Sequence, residues 1–126
     1  MIRLVNDTIN NTDIDQLIEW LKTYPRLTKG NLTIKLEEKW SNWLGVKNTI
    51  FCNSGSSANL LMLWALVEAS RITRDAKIVV PSVAWATDLA PVMQLGMTPI
   101  LCDSNMEDLS VDIDHLEKIF KETKPD

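Results

Sequence analysis

The chain has 126 residues, of which 45% are apolar and 24% charged, and 17 acidic against 13 basic residues give a net charge of −4. At roughly 150 residues per domain, this length corresponds to one domain or to part of one. The acidic balance and the lack of a basic stripe argue against nucleic acid and anionic membranes as partners. The longest apolar run, residues 58–69, is too short to cross a bilayer, which takes about 20 residues.

Two helices are predicted at the start of the chain. The first follows a capping box formed by Thr12 and Asp15 and ends before Pro25, because a residue that precedes proline is pushed away from the α region. The second runs from about Leu32 to Leu44, where Gly45 occupies the place of a left-handed cap. Both segments carry apolar residues at helical spacing.

Strands and helices alternate after Gly45. The predicted strands are residues 48–52, 77–80 and 97–102. The predicted helices are residues 58–69, a helix that follows the turn of residues 81–84 and ends before Gly96, and residues 112–122. This alternation indicates an α/β architecture in which parallel strands are covered by helices.

The two cysteines, Cys52 and Cys102, each lie in a segment predicted as a buried strand. With no Cys-x-x-Cys pair and a single histidine, His115, the sequence predicts no metal site. A disulfide is one alternative. Two buried free thiols in a reducing compartment are favoured over it, so the cytoplasm is the expected location.

Three loops follow the carboxyl ends of the predicted strands, where ligands of α/β sheets bind. In the first, Gly55 allows close approach of a ligand, and Ser54, Ser56 and Ser57 add hydroxyl groups at the start of a helix. Free N–H groups and the helix dipole would suit a phosphate there, although helix capping by a serine is the alternative. The sequence lacks Gly-x-Gly-x-x-Gly and Gly-Lys-Ser/Thr motifs, which argues against dinucleotide and P-loop sites.

The second loop carries Trp85 between two alanines. Its flat face would suit stacking on a planar ring, while a place in the core is the alternative. A phosphate site on one strand end and an aromatic platform on the next together suit a planar ring that carries a phosphate, such as pyridoxal phosphate (PLP).

The sequence resembles the N-terminal part of the DegT/DnrJ/StrS family of PLP-dependent sugar aminotransferases. The segments that carry the resemblance are residues 27–30, 53–61, 80–87 and 96–103. The Ser-Gly-Ser-Ser-Ala-Asn-Leu-Leu form, with Trp-Ala-Thr after the next strand, is most similar to the branch that contains PLP- or PMP-dependent hexulose dehydrases.

The resemblance implies a fold-type I large domain, a three-layer α/β/α structure with a mixed, mostly parallel sheet. Residues 1–30 would form an N-terminal helical segment and loop, and residues 31–126 a truncated PLP-binding domain. The implied cofactor is PLP. Its phosphate would be held by Gly55, Ser56 and Ser57, and its ring would stack on Trp85. The loop of Thr28, Lys29 and Gly30 would lie near substrate or a subunit interface.

The resemblance assigns no catalytic residue to this chain. Two functional groups are expected beyond Asp126. They are the lysine that forms the Schiff base, whose position is held by a histidine in some dehydrases, and the acidic partner of the pyridine nitrogen. The lysines present are interpreted as solvated charges. His115 is given no catalytic role, and Asp103 is interpreted as capping the loop that follows its strand.

The implied activity is amino transfer from an amino acid to a nucleotide-linked keto-sugar. Deoxygenation of such a sugar by a 3-dehydrase is one alternative, and a truncated α/β binding or assembly module without activity is another. Five tryptophans are more than a small sheet can bury, which together with the resemblance predicts a homodimer.

Overall fold

Residues 6–126 are described by a computed structural model, and residues 1–5 of the predicted N-terminal segment lie outside that description. The described part contains five helices and two strands, in the order α1 (Asn11–Leu21), α2 (Asn31–Leu44), α3 (Gly55–Glu68), β1 (Lys77–Pro81), α4 (Ala86–Gln94), β2 (Thr98–Cys102) and α5 (Ile113–Thr123). The chain divides into two compact units. Unit 1 ends at Phe51, and unit 2 is Cys52–Asp126.

The described residues contain no helix with both the length and the apolar character that a membrane crossing requires.

The predicted division after residue 30 concerns the domains of a whole family member and stays a prediction.

Helix α1 begins two residues earlier than the predicted capping box. The Asn10 side chain accepts hydrogen bonds from the N–H groups of Thr12 (2.8 Å) and Asp13 (3.4 Å), and the Asp13 carboxylate accepts one from the Asn10 N–H (3.0 Å). The predicted box of Thr12 and Asp15 was therefore wrong. Asparagine is at least as good an N-cap as threonine, and starting at Asn10 adds helical residues without losing the reciprocal bonds.

Helix α2 ends where its sequence predicts. Gly45 adopts φ of 71°, and its N–H donates to the Asn42 carbonyl (3.3 Å), while the Val46 N–H donates to the Ser41 carbonyl (3.0 Å). This closure of the last carbonyl groups uses a left-handed residue, which glycine adopts without steric cost. The predicted end of this helix is confirmed.

The strand predicted for residues 48–52 is absent, so the sheet of the described residues has two strands where three were expected. A strand needs a neighbour to accept its hydrogen bonds. Here the Phe51 N–H donates to the Glu37 carboxylate (2.9 Å), and the Thr49 hydroxyl bonds to that of Ser41 (2.8 Å). Side chains of α2 take the place of a neighbouring strand.

Unit 2 contains the parallel pair that the alternation predicts. β1 pairs with β2 in a register that runs from Lys77 opposite Thr98 to Pro81 opposite Cys102, and α4 makes the crossover between them. The buried apolar cluster of unit 2 consists of Ala76, Val80, Val92, Leu95 and Met97. Side chains of α3 and α4 pack against that cluster; they include Leu60, Leu63, Val67 and Leu89. Burial of apolar area on this parallel pair is the main stabilisation of the unit.

Both cysteines are free thiols, as predicted, but their surroundings differ. Cys102 ends β2 and is buried, whereas Cys52 is half-buried and lies outside any strand. Burial, followed by the nearby carboxylates of Asp112 and Asp103, raises the pKa of the Cys102 thiol. Cys102 is therefore a structural thiol and not an activated nucleophile.

Candidate functional site

The first turn of α3 contains the Gly55–Ser57 segment predicted to hold a phosphate. Ser54 is extended (φ −161°), and its hydroxyl oxygen accepts a hydrogen bond from the Ser57 N–H (3.2 Å). The first intrahelical donor is the Ala58 N–H, which bonds the Ser54 carbonyl (3.0 Å). The N–H groups of Gly55 and Ser56 come before it and have no partner within the helix. Helix capping by Ser54 therefore uses the Ser57 N–H and leaves the N–H groups of Gly55 and Ser56 without a partner in the helix.

The surroundings of this turn suit a phosphate. The first turn of α3 carries no acidic side chain of its own to oppose the positive end of the helix dipole. A Cβ atom built on Gly55 would meet nothing within 4 Å, which shows that the backbone is open to close approach. Gly55 and Ser56 are exposed and Ser57 is half-buried.

Trp85 occupies the N-cap position of α4 with an extended backbone (ψ 145°). Its side chain is 75% exposed and lies outside the buried cluster of unit 2. The carbonyl oxygen of Trp85 accepts a hydrogen bond from the Asp88 N–H (2.9 Å), which holds the backbone while the indole remains free. Such an exposed face is available for stacking.

A side chain of α3 joins these two helix starts. The Asn59 amide nitrogen donates to the Asp88 carboxylate (2.9 Å) and to the Thr87 carbonyl (3.2 Å). Asn59 lies one turn after Gly55, and Asp88 is three residues after Trp85. The helix ends that carry the predicted phosphate segment and the predicted platform are thus linked. The sequence signal for Asn59 was a single amide within an apolar helix, but its partner cannot be read from that.

The carboxyl end of β2 forms a second polar cluster. The His115 ring nitrogen Nδ1 accepts a hydrogen bond from the Asp103 N–H (3.0 Å) and lies 3.6 Å from the Asp103 carboxylate. The Asp112 carboxylate caps α5 by accepting from the His115 N–H (3.0 Å), and the Asp112 N–H donates to the Asp103 carbonyl (2.9 Å). These bonds close the loop between β2 and α5. The polar groups of Asp103 and His115 are thus engaged in structural contacts.

The Thr28–Gly30 loop lies in unit 1 and borders a cleft of about 470 Å³. The cleft is lined by Trp20, Arg26 and the start of α2. Arg26 donates to the Thr28 hydroxyl (2.6 Å), and the Lys29 ammonium donates to the Glu37 carboxylate (2.9 Å). The Phe51 N–H, followed by Lys29, lowers the pKa of Glu37. Lys29 is thereby tied to α2.

Across the described residues no three His, Cys, Asp or Glu side chains are grouped as metal ligands. The groups at the two helix starts of unit 2 are backbone N–H groups, serine hydroxyls, an indole face and the Asn59–Asp88 pair.

The profile of the DegT/DnrJ/EryC1/StrS aminotransferase family matches residues 7–124. The chain belongs to this family. The match confirms the resemblance drawn from the Gly55–Ser57 and Trp85 segments.

Individual family members show how much of a whole enzyme is represented. The chain is 31% identical over 97 residues to a GDP-4-keto-6-deoxy-D-mannose 3-dehydratase of Yersinia pseudotuberculosis, covering 75% of this chain and 25% of that protein. It is 26% identical over 112 residues to a GDP-perosamine synthase of Caulobacter vibrioides, covering 89% and 29% respectively. The chain thus spans about a quarter of the length of the curated relatives it matches.

A solved structure confirms the fold class. The E. coli GDP-4-keto-6-deoxy-D-mannose-3-dehydratase with bound hydrated PLP superposes with a TM-score of 0.79 at 28% identity, covering 91% of this chain and 30% of that one. The described helices and strands therefore form part of the fold-type I architecture.

Proposed function

We propose that this chain provides the cofactor-phosphate segment and the ring platform of a PLP-dependent enzyme that acts on a nucleotide-linked keto-sugar. The observation that carries the proposal is the pairing of two helix starts in unit 2. One offers the unpaired N–H groups of Gly55 and Ser56, and the other offers the exposed face of Trp85. The E. coli relative with bound PLP, of similar fold, supports this choice of cofactor.

Each residue has a distinct role in this proposal. The N–H groups of Gly55 and Ser56 would donate to the cofactor phosphate, and the Ser56 hydroxyl would add a donor. Ser57 would hold the turn through its bond to Ser54, and Trp85 would stack on the pyridine ring. When bound, PLP supplies an electron sink for the carbon that carries the amino group.

Amino transfer from an amino acid to the sugar carbonyl is the activity proposed first, in agreement with the family description and the similarity to a GDP-perosamine synthase. Sugar 3-dehydration is the second candidate, because the 31% identical Yersinia relative is a 3-dehydratase. The two differ in the group at the Schiff-base position, for which we expect a lysine in the first case and a histidine in some members of the second.

The lysines of this chain support a Schiff-base residue outside residues 6–126. Every lysine in the chain is exposed, whereas a Schiff-base lysine is activated by desolvation or by a second cation. Lys29 and Lys121 moreover form ion pairs with Glu37 and Glu117. We therefore expect the 126-residue chain alone to bind cofactor without catalysing amino transfer.

A homodimer and a cytoplasmic location complete the proposal. Large apolar side chains stay exposed in both units, including Trp43 at 74% and Trp85 at 75%. Exposed apolar area of this kind marks interaction surfaces, and a second copy of the chain is the proposed partner. The two free thiols support a reducing compartment.

Replacement of Gly55 tests the phosphate contact. Gly55→Pro removes the N–H of the first helical residue, where proline is well tolerated, and the extended Ser54 is compatible with a following proline. Gly55→Ala adds the same Cβ but keeps the N–H, so it is the matched control. We expect Gly55→Pro to bind PLP about tenfold to hundredfold more weakly than Gly55→Ala, because a hydrogen bond to a charged group contributes about 1.5–3 kcal/mol.

Titration of the chain with PLP and with inorganic phosphate gives both affinities, and circular dichroism checks that the helix content is unchanged. Equal PLP affinity in the two variants would contradict the proposed phosphate site.

A further inference from the structure

We propose that Asn59 is a positioning residue, which acts through Asp88 to hold Trp85 at a set place relative to the phosphate-binding turn of α3. The inference rests on the proposed function and deepens it. It assigns a role in cofactor binding to a side chain that does not itself need to touch the cofactor.

The hydrogen bonds of Asn59 are directed across two helices. Its amide nitrogen has two hydrogens, and they meet the Asp88 carboxylate (2.9 Å) and the Thr87 carbonyl (3.2 Å). Thr87 and Asp88 belong to the first turn of α4, at the end where its dipole is positive and favours an acceptor carboxylate. The Asn59 side chain is half-buried, so the link is partly shielded from competing water.

The link continues to Trp85 through the backbone. The Asp88 N–H donates to the Trp85 carbonyl (2.9 Å), so the residue that receives the Asn59 bond also holds the start of α4. The indole is 75% exposed and has little packing of its own to locate it. The position of its Cα atom therefore depends on where the first turn of α4 is held.

Apolar packing by itself fixes this position less sharply than directed hydrogen bonds do. Partly buried side chains of both helices, such as Leu63 of α3 and Leu89 of α4, pack against the buried cluster of unit 2. The hydrophobic effect behind such contacts is non-directional, so it resists separation of the helices more than small sliding movements. A phosphate and a ring of one cofactor have a fixed separation, and binding both requires the two helix starts to be held to within about 0.5 Å.

Exchange of the donor and the acceptor tests the link. Asn59→Asp replaces the donor by an acceptor of the same shape, facing the Asp88 carboxylate and the Thr87 carbonyl, so both bonds are lost. Asp88→Asn keeps an acceptor oxygen and is the conservative control. In the double variant Asn59→Asp/Asp88→Asn, the amide at position 88 can donate to the carboxylate at position 59, which restores a bond between the helices with reversed polarity.

The measured quantities are dissociation constants for PLP and for inorganic phosphate. The added carboxylate of Asn59→Asp should weaken the binding of both anions, and we expect PLP affinity to fall about fivefold to tenfold further than phosphate affinity. Asp88→Asn keeps an acceptor oxygen for Asn59 and should lose less PLP affinity than Asn59→Asp, and the double variant should recover most of the loss in PLP affinity. If Asn59→Asp does not fold, Asp88→Ala provides the same test, because Asp88 is exposed and its loss removes one of the two bonds.

The Trp85→Ala background separates positioning from general support of the fold. If Asn59 acts through Trp85, Asn59→Asp lowers PLP affinity no further than phosphate affinity once the indole is absent. An equal loss in both backgrounds, or an unchanged ratio of PLP to phosphate affinity in the single variant, would overturn the inference. A wild-type chain that binds PLP no more tightly than phosphate, with Gly55→Pro equal to Gly55→Ala, would overturn the proposed function and this inference with it.

Discussion

The two units of this chain are stabilised by different kinds of contact. In unit 2, apolar side chains from β1, α4 and the turn between α4 and β2 form a buried cluster that includes Val80, Val92 and Met97. Among residues 6–51 of unit 1, Ser41 is buried but no apolar side chain is. Helices α1 and α2 have good caps and apolar stripes, yet Leu17 and Leu36 are 48% and 44% exposed.

In unit 1 the segments are held together by polar contacts, whereas in unit 2 they are held together by burial of apolar side chains. The Ser41–Thr49 hydroxyl pair and the contacts of Glu37 with Lys29 and Phe51 join the segment after α2 to the face of that helix. A hydrogen bond contributes about 1 kcal/mol net, whereas burial of a leucine side chain contributes about 1.5–3 kcal/mol. We infer that unit 1 opens more readily than unit 2, and that its apolar stripes are available to a partner.

The largest expected difference between the units comes from truncating a leucine in each. Leu95→Ala removes a side chain that is only 6% exposed and leaves a cavity in the cluster of unit 2, which should lower the free energy of unfolding by about 2–5 kcal/mol. Leu36→Ala makes the same chemical change at an exposed position of α2 and should cost about 1 kcal/mol or less. Chemical denaturation measures both, and equal costs would contradict the contrast between the units.

Alanine at either of the two glycines with positive φ should lower the free energy of unfolding by the same amount, and by less than Leu95→Ala does. Gly45 in unit 1 has φ of 71° and Gly96 in unit 2 has φ of 78°, and an added Cβ meets no atom closer than 4.0 Å at either. Alanine at each position should cost about 1–2 kcal/mol, because the strain is local to the backbone. Gly55→Ala, where φ is not positive, is the unstrained control in the same denaturation series. A much larger loss for Gly96→Ala would show that packing contributes as well.

The smallest expected effect is a pH dependence carried by Glu37. The Phe51 N–H and then Lys29 lower the pKa of its carboxyl group in the folded state, so the unfolded chain binds the proton more readily. The stabilisation is therefore present at neutral pH and is lost as the pH falls, between about pH 5 and pH 3. In Glu37→Gln the side-chain oxygen can still accept a hydrogen bond from the Phe51 N–H, but the negative charge that attracts Lys29 is removed.

Thermal unfolding across that pH range should show the wild-type and Glu37→Gln curves converging as the pH falls. Glu38→Gln removes the same charge from an exposed neighbour and is the control. A constant offset between wild type and Glu37→Gln from pH 7 to pH 3 would show that the charge of Glu37 is irrelevant.

Much of the helical structure follows from neighbouring residues alone. Gly45 ends α2 and Asp112 caps α5 because these contacts lie within one or two turns of the chain. Residues 48–52 show the limit of such reasoning. Isoleucine and phenylalanine in that segment favour a strand, but a strand forms only where a neighbour accepts its hydrogen bonds, and α2 takes that place here.

The candidate site divides in the same way. The Ser54-Gly55-Ser56-Ser57 sequence by itself determined an open helix start with free N–H groups, because cap, turn and donors are adjacent in the chain. That Trp85 is exposed, and that Asn59 joins its helix to this turn, was decided by tertiary structure. Asn59 and Asp88 are 29 residues apart, and they meet because α3 and α4 pack against the same buried cluster. Local chemistry made the parts of the site, and burial of the apolar cluster brought them to one end of unit 2.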